Sequence, residues 1–462
     1  MTLRDTGDPR PIHFMGIAGA GMSALAELFV MRGIGITGCD YDAAGAARVL
    51  ASGITVSSGH DPGHVAGARA VVVTSAVRKD HPELLRAREL GLPIVRRAEA
   101  LAEAVSGSEL VAIAGTHGKT STTVLATEAL ASAGLAPTGL AGARVAAWGG
   151  NILAGEERVF VAEADEFDRS FLALRPTVAV VTNMEADHLD TYSGIDDIRA
   201  AFAEFAGSAR AIVLCADDDG ASTIPLPATA EIVRYGITSP HARLIAADVR
   251  STPTGSVFNV VYDGALLGEA ELRMAGTHNV LNALAAIGSG LVLGAKVEQM
   301  RAGLATCDGA DRRFQRVGEA GGVTVIDDYA HHPTEIRATL QAARASFPES
   351  RLVVAFQPHL FSRTRDFAGE FADALSSADE LFLADIYPSR EQSIPGITSA
   401  IISGPLRSKG RPPAWEGARP AMAGALAAAA RPGDVVITVG AGDVTLTARE
   451  LLALLALLGP SQ

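Results

Sequence analysis

The sequence has no excess of basic residues and contains very little lysine. Its 462 residues include 39 basic and 52 acidic side chains, which gives a formal net charge of −13. A nucleic-acid-binding protein normally presents a basic face, so this charge argues against that class. Only four of the basic residues are lysines, at positions 79, 119, 296 and 409. Each lysine is therefore easier to interpret than in an ordinary sequence.

Cysteine is also scarce, and long apolar runs are absent. Cys39, Cys215 and Cys307 lie far apart without Cys-x-x-Cys spacing, so we expect a reducing compartment, no disulfide framework and no zinc site. The longest apolar run near either end, 451–459, is far shorter than the roughly 20 residues of a membrane span. Residues 1–14 contain no signal-peptide core. These absences favour a cytoplasmic α/β protein without a membrane segment.

Short apolar runs alternate with Ala- and Leu-rich helical stretches along the whole chain. This alternation is typical of parallel sheets built from βαβ units, and the length predicts about three domains at roughly 150 residues each. A linker at 106–110 and a new unit near Arg313 place these domains at 1–107, 108–311 and 312–462. Section 236–272 is predicted to form antiparallel strands. Other strands are predicted at 12–16, 35–39, 70–75, 93–96, 110–115, 158–164, 177–183, 210–216, 323–330, 351–358, 380–388 and 434–442, and helices at 279–294 and after an N-cap at Thr334.

The strongest local motif is a strand, a Gly-Thr-His-Gly-Lys-Thr turn at 115–120 and a helix. In such a turn, backbone N–H groups and the helix N-terminus bind phosphates. Lys119 would then reach the β- and γ-phosphates, and the Thr120 hydroxyl would hold magnesium. Ile113 stands where the strict phosphate-loop pattern has glycine, so an ordinary strand–turn–helix junction is the alternative. No lysine lies in an Asn-Lys-x-Asp guanine motif, which favours ATP over GTP.

Two other predicted strands end in acidic clusters, at 163–166 and 183–190. Carboxylates at the carboxyl ends of parallel strands can hold magnesium. We select Glu163 and His188 as candidate ligands. Magnesium prefers oxygen ligands, so a hydrogen-bonded loop histidine remains the alternative for His188, and a solvated loop the alternative for the acidic cluster.

The N-terminal region contains Gly19-x-Gly21-x-x-Ala24 between a predicted strand and a helix, followed by Asp40. This spacing matches a dinucleotide fingerprint, in which a helix N-terminus receives a diphosphate. The match does not decide between NAD and another diphosphate. A glycine-rich turn that only packs against the helix is the alternative.

A third polar cluster follows two strands of the last predicted domain. Its histidines and arginines could bind a carboxylate or a phosphate oxygen, and together with Arg312 and Arg313 they suggest a functional cleft. Individually, each histidine is more often a surface or capping residue. The cluster comprises His331, His332, His359, Arg363 and Arg365.

Taken together, these motifs resemble the Mur ligases of bacterial peptidoglycan synthesis, and most closely their alanine-adding branch. The resemblance implies a Rossmann-like N-terminal domain, a central P-loop ATPase-like domain and a Rossmann-like C-terminal domain. It also implies that ATP drives the joining of L-alanine to the lactyl carboxylate of UDP-N-acetylmuramic acid through an acyl phosphate. The blocks that carry the resemblance are 16–22, 115–120, 163–166, 182–190, 276–282, 312–314, 327–335, 356–359 and 440–443.

The resemblance also implies a role for individual residues. The implied catalytic residues are Lys119, Arg313 and His331. Implied ATP-binding residues are Gly115, Thr116, His117, Gly118, Lys119, Thr120, Ser121, His278, Asn279 and Arg313. Implied contacts to the UDP-substrate are Gly19, Ala20, Gly21, Asp40, His60 and Ser75. Residues implied around the amino acid are His331, His359 and Arg363, and the implied magnesium ligands are Thr120, Glu163 and His188.

Three positions depart from the family pattern. Ala18 stands where glycine is common, and Leu360 stands where many relatives have a basic residue. No lysine lies between Lys119 and Lys296, so the carbamylated lysine of several other Mur ligases is absent, as the alanine-adding branch would have it. We expect ATP and Mg²⁺ as cofactors, no nucleic-acid or membrane partner, and a monomer or weak homodimer. The alternatives are a recycling ligase that adds a preformed peptide, a nicotinamide-dependent oxidoreductase and a non-catalytic nucleotide-binding module.

Overall fold

The computed structural model describes residues 2–42, 47–74, 77–188, 191–252, 254–389 and 391–458. These residues form three sheets in chain order, as the three-domain prediction requires. Contacts group the chain into two compact units. The first unit comprises Met1–Val249, Phe258–Leu272 and Asn279–Ala310, and the second comprises Arg250–Val257, Arg273–His278 and Asp311–Gln462.

The first sheet has five parallel strands in the order β3-β2-β1-β4-β5. The strand order reverses beside β1, and in such Rossmann-like sheets ligands bind at that reversal. The strands are β1 Ile12–Met15, β2 Ile36–Asp40, β3 Thr55–Ser58, β4 Ala70–Val73 and β5 Ile94–Arg96. The helices are α1 Ala20–Met31, α2 Ala47–Ala51, α3 Pro82–Glu89 and α4 Arg97–Ala104, with a 3-10 turn at Pro62–Val65.

The second sheet has ten strands in the order β15-β14-β13-β12-β11-β10-β6-β9-β7-β8. Its central strands are parallel, so their carboxyl ends meet at one edge. The strands are β6 Glu109–Ala114, β7 Thr138–Val145, β8 Gly150–Leu153, β9 Val159–Glu163, β10 Val178–Val181, β11 Ala211–Cys215, β12 Glu231–Gly236, β13 Leu244–Thr252, β14 Gly255–Tyr262 and β15 Ala265–Leu272. The helices are α5 Lys119–Ser132, α6 Ile195–Gly207, α7 Asp219–Ser222, α8 Thr277–Val292 and α9 Val297–Thr306, with 3-10 turns at Ala146–Trp148 and Phe167–Ala173.

The third sheet has six strands in the order β16-β17-β21-β18-β19-β20, of which only β16 is paired antiparallel. The strands are β16 Gln315–Ala320, β17 Val323–Asp328, β18 Leu352–Phe356, β19 Glu380–Ala384, β20 Trp415–Gly417 and β21 Val435–Val439. The helices are α10 Pro333–Ser346, α11 Phe361–Asp366, α12 Ala368–Leu375, α13 Ala400–Ser408, α14 Arg419–Ala429 and α15 Thr445–Leu458.

Helices cover both faces of the third sheet. Successive side chains of a strand point to opposite faces, and accordingly Val325 and Ile326 belong to two different buried apolar clusters. A sheet buried on both faces explains why its strands are continuous apolar runs in the sequence rather than alternating ones.

The structure corrects three details of the sequence prediction. The N-cap of α10 is His332, whose side chain accepts a hydrogen bond from the Thr334 backbone N–H, so the helix begins earlier than predicted. In section 236–272, β12 and β13 pair in parallel. The antiparallel prediction holds for β14 and β15, which are neighbours in the sheet and are joined by the two-residue turn Asp263–Gly264. Only antiparallel strands can be joined by so short a turn. The strand predicted at 380–388 ends at Ala384. No helix within the described ranges is long and apolar enough to cross a membrane.

Candidate active site

The turn at 115–118 connects β6 to α5 and depends on two glycines. Gly115 has φ 138° and Gly118 has φ 81°, which L-residues rarely adopt. A Cβ at Gly115 would collide with the Thr182 hydroxyl, and one at Gly118 would lie 2.7 Å from Asn282 Oδ1. The helix therefore begins directly at Lys119. The backbone N–H groups of its first turn, which have no partner within the helix, face the loop. Thr120 and Ser121, both buried, follow in the first turn.

Lys119 is held within this loop. Its Nζ donates to the Gly115 carbonyl at 2.6 Å and lies 2.8 Å from Glu166 Oε2. The Lys119 side chain is only 15% exposed and that of Glu166 4%. Burial alone would lower the pKa of Lys119, but the carboxylates of Glu166 and Asp165 outweigh it and raise that pKa. Lys119 is therefore a fixed cation at the start of a helix.

The segment that follows β10 fixes the shape of the loop. Asn183 Oδ1 accepts a hydrogen bond from the His117 backbone N–H at 2.8 Å, and the Thr182 hydroxyl donates to the His117 carbonyl at 2.7 Å. The Thr116 hydroxyl accepts from the Glu185 N–H at 2.9 Å. The turn is thus positioned by neighbouring strand ends before any ligand binds.

Glu163 and His188, two of the three candidate magnesium ligands, belong to the segments that end and follow β9 and β10, the two strands that flank β6. Glu163 ends β9 opposite Ile113 of β6 and accepts a hydrogen bond from the Gly142 N–H. His188 follows β10 with φ 53°, and its Nε2 lies 3.7 Å from Glu166 Oε1. A residue held at positive φ outside glycine is often part of a functional site.

Asn279 and Asn282 of α8 extend the loop contacts. Asn282 Nδ2 donates to Asn279 Oδ1 at 3.1 Å, and Asn282 Oδ1 accepts from the Thr122 hydroxyl of α5 at 3.1 Å. Both asparagines are buried. Asn279 therefore connects to the phosphate loop through Asn282, which the sequence interpretation did not select. His278 belongs to the second unit.

The glycine loop after β1 shares a cavity with the end of β9. The cavity has a volume of about 310 Å³, and it is lined by Gly19, Ala20 and Gly21 as well as Glu163, Asp165 and Arg97. A Cβ at Gly21 would lie 2.8 Å from Arg97 Nη1, and Arg97 Nη2 lies 3.7 Å from Asp165 Oδ2. The structure thus combines one basic side chain and two carboxylates with the predicted diphosphate loop.

The other predicted UDP-site residues have different environments. Asp40 ends β2 and its Oδ2 accepts a hydrogen bond from the Ala18 N–H at 2.9 Å, so it supports the glycine loop. His60 lies beside Cys39 and Glu83. Ser75 lies outside the described residues.

The polar cluster of the second unit forms around Tyr329 and His331. The guanidinium carbons of Arg312 and Arg313 lie 4.9 and 5.1 Å from the Tyr329 ring centroid. His331 Nδ1 lies 3.3 Å from Glu335 Oε2, and the His331 and His359 ring centroids are 6.0 Å apart.

Burial sets the protonation of this cluster. It lowers the pKa of His331 to about 4, and Arg363 acts in the same direction against Glu335. Burial also lowers the pKa of His278 to about 4 and raises that of Asp328 to about 6. At neutral pH the two histidines are therefore neutral hydrogen-bonding groups.

Sequence reasoning did not select Glu166, Arg97 or Asn183. Glu166 and Asn183 lie inside the motifs at 163–166 and 182–190. Their polar side chains after an apolar strand could have indicated a role at the site. For Arg97, which begins α4, no spacing pattern linked it to the glycine loop.

Three protein-family models match the chain in order. Residues 11–109 match the Mur ligase family, catalytic domain, and residues 113–290 match the Mur ligase middle domain. Residues 312–442 match the Mur ligase, glutamate ligase domain. The three matched segments correspond, in chain order, to the three sheets.

Curated relatives match over nearly the full length. A UDP-N-acetylmuramate–L-alanine ligase of Acidothermus cellulolyticus is 46% identical over 445 residues, which are 94% of this chain and 92% of that protein. A ligase of the same name from Nitratidesulfovibrio vulgaris is 43% identical over 449 residues, covering 96% and 98%.

Solved structures show the same architecture. UDP-N-acetylmuramate-alanine ligase from Thermotoga maritima has a TM-score of 0.83 at 29% identity, covering 96% of this chain and 98% of that chain. A murein peptide ligase from Psychrobacter arcticus has a TM-score of 0.73 at 23% identity, covering 97% and 99%. The latter likeness concerns the fold alone.

Proposed function

The chain belongs to the Mur ligase family, and we propose that it joins L-alanine to the lactyl carboxylate of UDP-N-acetylmuramic acid while ATP is converted to ADP and phosphate. Relatives that are 43% and 46% identical over more than nine-tenths of the chain bear the name of that reaction. The reaction is a step of peptidoglycan synthesis, and we place it in the cytoplasm.

The observation that carries the proposal is the cavity shared by Gly19–Gly21 and Glu163. The glycine loop suits a diphosphate at the start of α1, and Glu163 ends a strand beside the phosphate loop. A UDP-linked acid bound there would extend from the diphosphate site toward the site of phosphate transfer. A nicotinamide oxidoreductase would leave this second site without a role.

The first chemical step makes the carboxylate reactive. One lactyl carboxylate oxygen forms a bond to the γ-phosphorus of ATP, the bond from that phosphorus to the bridging oxygen breaks, and ADP leaves. Lys119, which the surrounding loop holds as a cation, would stabilise the negative charge on the transferring group. Gly115–Ser121 and Asn279 form the proposed ATP site, to which we also assign His278 and Arg313.

Mg²⁺ fits the donor set of the first unit. The Thr120 hydroxyl and the Glu163 carboxylate supply the oxygen ligands that Mg²⁺ prefers, and we propose His188 as the third protein ligand. When bound, the ion would neutralise charge on the ATP phosphates.

The second step attaches the amino acid. The amine of L-alanine attacks the acyl carbon, the bond from that carbon to the phosphate oxygen breaks, inorganic phosphate leaves, and the proton of the amine passes to solvent. We assign amino-acid binding to His331, His359 and Arg363, because a guanidinium suits a carboxylate. His331 is neutral and can accept a hydrogen bond from the amine. Its low pKa makes it a weak proton acceptor at neutral pH, so its proposed catalytic role is mainly orientation.

The deciding experiment measures phosphate release with purified full-length protein. We expect release only when ATP, UDP-N-acetylmuramic acid and L-alanine are all present, and with Lys119→Met we expect it to fall by about a thousandfold. Lys296→Met, at an exposed position before α9, is the matched control and should be fully active.

Acceptor choice separates the alternatives. A preformed tripeptide that outcompetes L-alanine would identify a recycling ligase instead. Phosphate release that ignores the UDP-sugar would overturn the proposal. Ultracentrifugation would test the expected monomer or weak homodimer.

A further inference from the structure

Four potential metal ligands lie together beside strands β1 and β2 of the first sheet. We call His13, Cys39, His60 and Glu83 the imidazole–thiol cluster. They come from β1, β2, the loop after β3 and the first turn of α3. His13 is 1% exposed, and Cys39 and Glu83 are fully buried. Such burial of a carboxylate requires compensation by its neighbours.

The Cys39 thiol is in contact with the ligand atoms of the other three residues. Cys39 Sγ lies 3.1 Å from His60 Nδ1, 3.3 Å from Glu83 Oε2 and 3.4 Å from His13 Nε2. His60 Nδ1 lies 3.0 Å from Glu83 Oε2. In a tetrahedral zinc site such atoms stand roughly 3.3–3.6 Å apart, given metal–ligand bonds of about 2.0–2.3 Å. These four separations lie within a few tenths of an ångström of that range, and metal binding would draw the His13 and His60 imidazoles together around the thiol and the carboxylate.

The second ring nitrogen of His13 and the second carboxylate oxygen of Glu83 have partners outside the cluster. His13 Nδ1 lies 3.0 Å from Thr37 Oγ1. Glu83 Oε1 lies 2.9 Å from His64 Nδ1 and accepts a hydrogen bond from the Asp61 N–H at 3.2 Å. Outer hydrogen bonds of this kind fix the orientation and tautomer of metal-binding side chains.

Cysteine spacing in the sequence argued against a zinc site, but the tertiary arrangement leads us to a different assignment. We propose that His13, Cys39, His60 and Glu83 bind one Zn²⁺ ion. Zinc binding would release the proton of the Cys39 thiol to solvent. Two neutral imidazoles, one thiolate and one carboxylate would then balance the charge of the ion, so the buried site would be neutral. The site differs in place and in ligand chemistry from the proposed magnesium site.

The position of the cluster suggests a structural role for the ion. The Cys39 carbonyl accepts hydrogen bonds from the Gly16 and Ile17 N–H groups at 2.9 and 3.2 Å. The metal would therefore fix the strand end against which the glycine loop folds. His60, which the family resemblance implied as a contact to the UDP-substrate, binds the ion in this assignment.

The test is the metal content of the full-length protein, purified without chelator or histidine tag. We expect about one zinc per chain, unchanged by washing with Mg²⁺. Cobalt exchange should produce a thiolate-to-cobalt charge-transfer band. Less than one-tenth zinc per chain after incubation with ZnCl₂, together with no cobalt band, would show a hydrogen-bonded cluster and overturn the proposal.

Variants locate the site. Cys39→Ala and Glu83→Gln should each lose zinc, and Cys39→Ala should also lose the cobalt band. Cys307→Ala, which removes another buried cysteine, should keep both. Zinc retained by folded Cys39→Ala and Glu83→Gln proteins would place the ion elsewhere and contradict the assignment. Because the metal content is measured without substrates, its outcome is independent of the ligase assay.

Discussion

Lys119 Nζ lies 2.8 Å from Glu166 Oε2, so the lysine expected to meet the ATP phosphates is already paired with a carboxylate. The pair is almost completely removed from solvent. We expect nucleotide binding to exchange one anion for another beside the same cation. This exchange makes the contribution of Glu166 to stability dependent on the nucleotide.

The first prediction concerns Glu166→Gln. Without nucleotide, the variant leaves a buried lysine short of a counter-charge, and we expect a loss of about 1–3 kcal/mol in unfolding free energy. A bound ATP analogue should make that loss smaller, because phosphate oxygens replace the carboxylate. Thermal unfolding with and without the analogue measures both values.

Glu156→Gln is the control for this prediction, because Glu156 is exposed. Its unfolding midpoint should stay unchanged under both conditions. An equal loss for Glu166→Gln with and without the analogue would contradict the exchange.

The second prediction compares two glycines with nearly identical backbone angles. Gly118 has φ 81° and Gly134 has φ 80°, but only at Gly118 would a Cβ meet a neighbour, Asn282 Oδ1 at 2.7 Å. Gly134→Ala should cost about 1 kcal/mol through backbone conformation. Gly118→Ala should cost about 1–3 kcal/mol more through overpacking and should also raise the KM for ATP. Similar losses in both variants, with an unchanged KM, would show that the loop tolerates the methyl group.

The third prediction tests the magnesium ligands. Glu163→Gln removes a charged oxygen ligand, and we expect the Mg²⁺ concentration for half-maximal activity to rise by about ten- to a hundredfold, as loss of a charge-assisted contact implies. Titration of the phosphate-release assay with Mg²⁺ measures this shift. Glu156→Gln again serves as the control. A lower maximal rate at an unchanged Mg²⁺ requirement would remove Glu163 from the ligand set.

The fourth prediction concerns stability in acid. Burial lowers the pKa of His278 from 6.5 to about 4, so between these pH values the unfolded chain binds more protons. Stability therefore falls as the pH falls through this window. Glu335 opposes the shift and Arg313 supports it. Asp328 has the opposite effect. Its pKa is raised to about 6 in the fold, so the folded chain binds this proton before the unfolded chain does, and protonation of Asp328 stabilises the fold as the pH decreases.

The variant His278→Gln should reduce the stability difference between pH 7 and pH 4.5 by roughly 1–2 kcal/mol, since this imidazole is only partly buried. Unfolding midpoints at the two pH values provide the measurement. His241→Gln, at an exposed position, should leave the difference as it is. A wild-type pH dependence in His278→Gln would assign the effect to other groups.

Much of the fold was predictable because its signals are local. The apolar runs of β6, β10 and β21 and the glycines at 115 and 118 reflect burial and backbone angles that each short segment imposes by itself. The cap of α10 was misplaced by two residues, because His332 caps helices less commonly than Thr334.

The composition and motif order of the chain alone determined its class, its three α/β domains and the glycine turn that leads into a helix at Lys119, since these depend on neighbours in sequence. Only the tertiary structure decided that Glu166 pairs with Lys119, that Arg97 lies against the glycine loop, and that Cys39 contacts His13, His60 and Glu83. Such contacts join residues that are tens of positions apart. Strand order and register bring these residues together, and spacing in the sequence carries no record of either.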